Sequence, residues 1–160
     1  MPLPVRWVEQ GWDDPAPTAL RAAMDAEMSV RYAHVEDLFS ALVMPPGTAW
    51  VTTWVALQGE EPLATATLRW LGEGRDRLAE VKKVYVAPAG RRRGLATQAL
   101  RQVEGTARAL GVGRLHLHTG DLQPEAIALY EREGWQRVPV FAPYDVVPVS
   151  VCFTKAVPPG

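Results

Sequence analysis

The sequence predicts a mixed α/β domain in which a central sheet of about seven strands is flanked by about four helices. Three observations carry that expectation. Short runs with strand character alternate with stretches in which apolar residues recur at helical period. Leu95–Leu110, periodic throughout, lies between the strands Ala79–Val86 and Arg114–His118, and a helix crossing between neighbouring strands makes them parallel. Trp50–Leu57 and Leu63–Leu71 read instead as strands paired through the turn Gln58-Gly59-Glu60-Glu61-Pro62.

Taken in order, Val5–Val8 is a first strand. Pro15–Met28 is a helix, with Ala19, Leu20, Ala23, Met24 and Met28 at helical spacing. A second short helix near His34–Leu42 is expected to stop before Met44-Pro45-Pro46-Gly47, a strong breaker. The hairpin follows, then a polar turn, Gly72–Arg77, and the strand Ala79–Val86. On Arg114–His118, Leu115 and Leu117 share one face and both histidines the other. Pro124 suits the first turn of a helix whose apolar stripe is Ala126, Ile127, Leu129 and Tyr130, and Gly134 ends it at C′. Trp135–Phe141 and Val149–Lys155 are the last two strands, around a Pro-rich loop.

Composition bounds the function. The 160 residues are 48% hydrophobic and 22% charged, enough apolar content for a packed core. No apolar run approaches the roughly 18 residues a spanning helix needs, and no cleavage signal opens the chain, so neither a membrane partner nor secretion is expected. One cysteine, Cys152, cannot form an internal disulfide, which favours a reducing, cytoplasmic setting. The net charge of −1 argues against a general nucleic-acid binder. Its distribution is uneven: residues 1–80 hold 6 Arg against 12 acids, residues 81–160 hold 11 Lys/Arg against 6 acids. A compact anion is therefore expected to meet the second half, and the acidic first half hints at a cationic partner.

The chemistry sits where the strand Val84-Tyr85-Val86 runs through Ala87-Pro88-Ala89-Gly90 into Arg91-Arg92-Arg93-Gly94-Leu95-Ala96 and so into a helix. A turn that opens a helix presents several unpaired backbone N–H groups at the positive end of the helix dipole. A phosphate or pyrophosphate is the natural ligand there. Gly94 lets the backbone come close to it, and the arginines add charge. The chain has no Gly-Lys pair for a Walker loop, and Gly111-Val112-Gly113 follows a helix rather than a strand, so nucleotide folds are not indicated.

Val86, Pro88, Arg91, Gly94 and Ala96 together form Val-x-Pro-x-x-Arg-x-x-Gly-x-Ala, which resembles the acetyl-CoA-binding motif of the GNAT N-acetyltransferase superfamily. The segment Glu125–Trp135, a helix running to Leu129-Tyr130 and followed by Gly134-Trp135, resembles that superfamily's second signature. The resemblance implies the GNAT fold, with splayed parallel central strands admitting CoA. It also implies one domain over 1–160, with acceptor-side helices in 1–47 and an acetyl-CoA-binding core in 79–135. The reaction implied is direct transfer of an acetyl group from acetyl-CoA, the cosubstrate, to a primary amine of a small molecule or peptide. Val84, Tyr85 and Val86 would pair with the pantetheine arm, and the backbone of Arg91, Arg92, Arg93, Gly94, Leu95, Ala96 and Thr97 would hold the pyrophosphate. Gln123 stands where the family often has Asn and would contact the pantetheine. Tyr130 would sit near the thioester sulfur, packing on CoA or protonating the departing thiolate. The resemblance also allows a homodimer through sheet edges or terminal strands. A binding module that senses acyl-CoA without turnover, and an acyltransferase using a larger acyl-CoA, are the alternatives.

An alkyl ammonium has a pKa of about 10.4 and must lose a proton before it attacks. Glu80 is the candidate base, placed by alternation on the same strand face as Val84 and Val86. His116 and His118 have a spacing metal sites use, but no third ligand stands out and no metal is expected. The arginine triplet lacks the flanking aromatics of a nucleic-acid patch. Trp50 and Trp54 are expected on one strand face as core, Cys152 as a buried filler, and Tyr144 near an acceptor pocket. Asp25, Glu27, Glu36 and Asp37 are the acids on the N-terminal helices that would favour a cationic acceptor.

Overall fold

In the computed structural model, which describes every residue from Met1 to Gly160 except Glu36, the strands form one seven-stranded sheet. In chain order the elements are β1 (Val5–Gln10), α1 (Pro15–Arg31), β2 (Ala49–Gln58), β3 (Glu61–Leu71), β4 (Leu78–Val86), α2 (Leu95–Ala109), β5 (Arg114–Gly120), α3 (Pro124–Arg132), β6 (Gln136–Val138) and β7 (Ser150–Ala156). The spatial order is β1-β2-β3-β4-β5-β7-β6, and only β4 and β5 run parallel. The crossover helix α2 explains that one parallel pair.

Burial separates the two faces. Leu68, Val81, Leu115, Leu117 and Phe153 point to the face covered by α2 and α3, where Ala99, Leu100, Val103, Leu129 and Tyr130 complete the main core. The other face carries α1, whose Leu20 packs with Val55, Leu57 and Tyr85. Pro15 and Pro124 open α1 and α3, where the missing N–H costs nothing. Gly134 lies just past α3 at φ +87, the left-handed C′ position its sequence predicts.

Four expectations change. The stretch His34–Leu42 is not a helix: its described residues make separate turns, with Val35 N–H bonded to the Tyr32 carbonyl and Ser40 N–H to that of Asp37, whose φ is +53. Glu36 lies outside the described residues, and the α-helices number three among them. The expected strand Trp135–Phe141 forms only as Gln136–Val138, because Pro139 cannot donate to the ladder. Trp50 and Trp54 are on opposite faces. A register shift between Trp50 and Thr52 breaks the alternation, so Trp50 pairs with Arg69 while Trp54 pairs with Ala66 and packs toward α2. The fourth change, at Glu80, bears on the site.

Candidate functional site

The parallel pairing of β4 with β5 is short: Ala79, Glu80 and Val81 face Leu115, His116 and Leu117, and beyond that the strands part. The cause is local to β4. Lys83 adopts φ +53, a conformation unusual for a side chain with a Cβ, and the register with β3 shifts between Thr65 and Thr67 opposite it. The bulge bends β4 away from β5 and leaves the backbone of Val84–Val86 with no strand partner on that side. It also resets the alternation. Tyr85 joins the α1 face, Val84 and Val86 pack toward the α2 face, and Glu80, cross-strand from Arg69, lies on the α1 face. Glu80 therefore does not share a face with Val84 and Val86, as unbroken alternation would require.

Two cavities open at this split. The first, about 530 Å³, runs from the β4 edge to the start of α2 and is lined by Val84, Tyr85, Val86, Arg91, Arg92, Gly94, Leu95, Ala96, Thr97, Gln123 and Tyr130, with Met24, Glu27 and Met28 of α1 closing it. At its far end the backbone N–H groups of Arg92 through Thr97 have no hydrogen-bond acceptor among the described residues, whereas Arg91 N–H reaches the Pro88 carbonyl at 3.3 Å. Gly94, the N-cap of α2, has φ +72, and a Cβ built there would meet nothing within 4 Å. The space over the loop is open, and glycine is required by the backbone. Arg93 turns away to donate to Gln58 Oε1 at 3.2 Å. Arg91 Nη2 donates to both oxygens of Glu27 (2.6 and 2.9 Å), and its Nε donates to the Val86 carbonyl at 3.1 Å. That tie, with the Arg31–Glu125 pair, holds α1 to both walls of the cleft.

The second cavity, about 440 Å³, lies on the α1 face and shares Met24, Met28, Val84, Gln123, Ala126 and Tyr130 with the first. Tyr130 thus stands where the two meet. The residue is largely buried, and desolvation alone raises its pKa well above the usual phenol value, so it stays protonated. The floor of the second cavity is a polar cluster. Glu80, 0% exposed, accepts from Arg69 Nε at 2.6 Å on one oxygen and from the Tyr144 hydroxyl on the other. Arg69 Nη2 also donates to the Tyr144 oxygen at 2.9 Å. The Tyr144 ring stacks on His118 at 3.8 Å, and His118 Nε2 bonds Ser150 Oγ at 2.8 Å. Burial first, then the charges of Lys82 and Arg69, push His118 down to about 3, so it is neutral. Desolvation likewise brings Lys82 down to about 8.

This geometry, a split parallel pair with an anion-ready loop at one end, is matched by the sequence profile of the acetyltransferase (GNAT) family over residues 12–135. The chain belongs to the GNAT acetyltransferase family. Part of this GNAT chain, 48% of it, is 37% identical over 76 residues to an IAA acetyltransferase of Azospirillum brasilense, a match that spans half of that relative's length. A Klebsiella pneumoniae structure, provisionally described as an acyl-CoA N-acyltransferase, is 28% identical, with a TM-score of 0.75 over 96% of this chain and 97% of that one. An Elizabethkingia anophelis GNAT acetyltransferase solved with acetyl-CoA bound shares the fold at 15% identity, a TM-score of 0.64 and coverage of 95% and 97%.

The fold brings all but two of the sequence-derived site residues to one groove. Arg93 and Glu80 do not line it. Sequence reasoning missed Trp12, Arg69, Lys82 and His118 as cavity residues. Arg69 carried a usable signal, as the one ionisable residue inside the apolar run Leu63–Leu71. Lys82 is two residues from Glu80 and, by simple alternation, on its face.

Proposed function

We propose that this protein is an acetyl-CoA-dependent N-acetyltransferase that acetylates the primary amine of a small molecule by direct transfer. The observation that carries the reading is the meeting of two cavities at Tyr130, one ending in the unpartnered N–H groups of Arg92–Thr97 and the other in a polar floor. A pyrophosphate fits the first: the N–H groups are free, the dipole of α2 favours an anion, and the space above Gly94 is open. The pantetheine amides would pair with the free edge of Val84–Val86 as an added strand does, with Gln123 alongside.

Acetyl-CoA supplies an acetyl group activated as a thioester; the amine nitrogen bonds to the carbonyl carbon, the C–S bond breaks, and the sulfur leaves with the electron pair. Tyr130, kept protonated by burial, gives its proton to that sulfur and is reprotonated from solvent through the cleft. The proton shed by the ammonium passes toward Glu80. Both Glu80 oxygens are engaged and the residue is sealed from the cavity, so it receives the proton through the Tyr144 hydroxyl. Residues 79–135 then form the cofactor core, and α1 with the turns up to residue 47 covers the acceptor side.

Calorimetric titration with acetyl-CoA followed by a free-thiol assay against a panel of primary amines tests the reading. Binding with amine-dependent thiol release supports it. Binding without release on any amine would leave an acyl-CoA sensor, and absence of binding would overturn the assignment of the groove.

A further inference from the structure

The second cavity has more chemistry than transfer to an amine requires. Its cations and anions do not balance. Lys83 faces Asp25 at 3.9 Å, and Arg69 is paired with Glu80, but Lys82 has no hydrogen-bond or ion-pair partner among the described residues. Its Nζ lies 4.9 Å from the Tyr144 ring, and it feels Glu80 only through space, without a hydrogen bond. On the floor, Arg69 and Lys82 (+2) face Glu80 (−1), and neutral His118 adds nothing, leaving a net +1. Of the acids expected to draw in a cationic acceptor, Glu27 is engaged with Arg91, and Asp25 lines this cavity but is balanced by Lys83 beside it. An ammonium group alone would meet net repulsion here; an anion would relieve it.

The walls are apolar. Trp12 stacks on Trp50 at 3.5 Å between the guanidiniums of Arg21 (3.6 Å from the Trp12 ring) and Arg69 (5.1 Å from the Trp50 ring), so both indoles are held rigid. Leu42 and Met44 continue that wall. Phe39 borders the same cavity while 54% exposed, a large aromatic with little protein to cover it.

Resting on the N-acetyltransferase reading above, we infer that the acceptor is an α-amino acid with a large apolar or aromatic side chain. Lys82 receives its carboxylate, the Trp50–Met44–Phe39 wall receives its side chain, and its amine is presented at Tyr130. Lys82 is then a specificity residue: it recognises the acceptor and takes no part in the proton transfers.

The experiment compares amino acids with their decarboxylated and amidated counterparts, phenylalanine with phenethylamine and phenylalaninamide, and leucine with isoamylamine. Amine-dependent thiol release gives kcat/KM, and quenching of Trp12/Trp50 fluorescence gives binding without turnover. The carboxylate should raise kcat/KM by roughly ten- to hundredfold, the range of one charge-assisted hydrogen bond. Lys82→Met should collapse that ratio toward unity, and Lys82→Arg, which keeps the charge and cannot act as a base, should restore much of it. Phenethylamine or phenylalaninamide matching or exceeding phenylalanine would overturn the inference while leaving N-acetyl transfer intact. So would a Lys82→Met variant that slows all acceptors equally. An amino acid that quenches fluorescence through Lys82 without ever being acetylated would support the carboxylate site and sink the transfer reading instead.

Discussion

Arg69→Met probes the cluster beneath the second cavity. The substitution takes the only strong donor from Glu80 Oε1 and a second donor from the Tyr144 hydroxyl. Glu80 is 0% exposed, so water cannot replace what is lost. Leaving one member of a buried pair uncompensated costs about 3–5 kcal/mol. Lys82, on the same face, offsets part of the stranded charge, which puts the expected loss near the lower limit, about 3 kcal/mol. For a chain of this size that is a fall in melting temperature of about 6–12 °C. The triple variant Arg69→Met, Glu80→Leu, Tyr144→Phe removes all three polar partners together and should lie within about 2 kcal/mol of the parent, because neither member of the Arg69–Glu80 pair is left without the other. Urea denaturation of the four proteins (parent, Arg69→Met, Glu80→Leu and the triple) gives the free energies. A loss under about 1 kcal/mol in Arg69→Met, or a triple variant no more stable than the single one, would refute the idea that Glu80 depends on Arg69.

Four further outcomes are expected. Gly94→Glu should abolish acetyl-CoA binding in calorimetry, since it forces a side chain into φ +72 and sets a carboxylate over the free N–H groups; unchanged affinity would remove the loop from the site. Tyr130→Phe should lower kcat at least tenfold, about 1.4 kcal/mol of barrier, with little change in acetyl-CoA affinity; equal losses in both would make Tyr130 a packing residue. N-acetylphenylalanine has a carboxylate and no amine, so its binding isolates Lys82. That group is charged below a pKa of about 8 and neutral above it; it is faced by Glu80, Arg69, Lys83, Asp25, neutral His118, and by the Cys152 thiol and Tyr144 phenol, whose pKa values burial pushes up. Binding should be roughly five- to tenfold weaker at about pH 9 than at about pH 7, and a flat profile would count against the carboxylate site. His118, held near 3 by burial, cannot take the proton that the unfolded chain accepts at about 6.5. Its stabilising contribution is whole above that value and is lost as pH falls toward 3, so His118→Asn should flatten the acid limb of a stability–pH curve by up to about 1.4 kcal/mol per pH unit.

How much of this was legible follows the reach of each feature along the chain. The turn proposed to bind phosphate is contiguous: Val86 through Thr97 carries its own strand end, glycine, free amides and helix start, so twelve or so adjacent residues announce it. The crossover helix and its parallel strands are equally local, since apolar spacing of 3.6 and 2.0 follows from backbone geometry. Tyr130 could be singled out because it belongs to a second contiguous signature, Glu125–Trp135, and Gln123 by its place just before that helix. By themselves, then, the residues determined the family, the sheet and the anion end of the cleft.

The second cavity was decided by tertiary structure. Trp12, Phe39, Trp50, Arg69, Lys82, His118 and Tyr144 come from separate stretches of chain and meet only once β2 to β5, α1 and the loop before β7 are packed. Two single-residue irregularities control which of them face that cavity, the register shift after Trp50 and the bulge at Lys83. Because strand side chains alternate with a period of two, each shift exchanges the faces of the residues that follow. That is why Trp50 left the core for the cavity, and why Glu80 came to lie behind Tyr144 on the face opposite Val84 and Val86. Such irregularities arise from the balance of cross-strand packing against one strained φ, a comparison that pattern along a single strand does not contain.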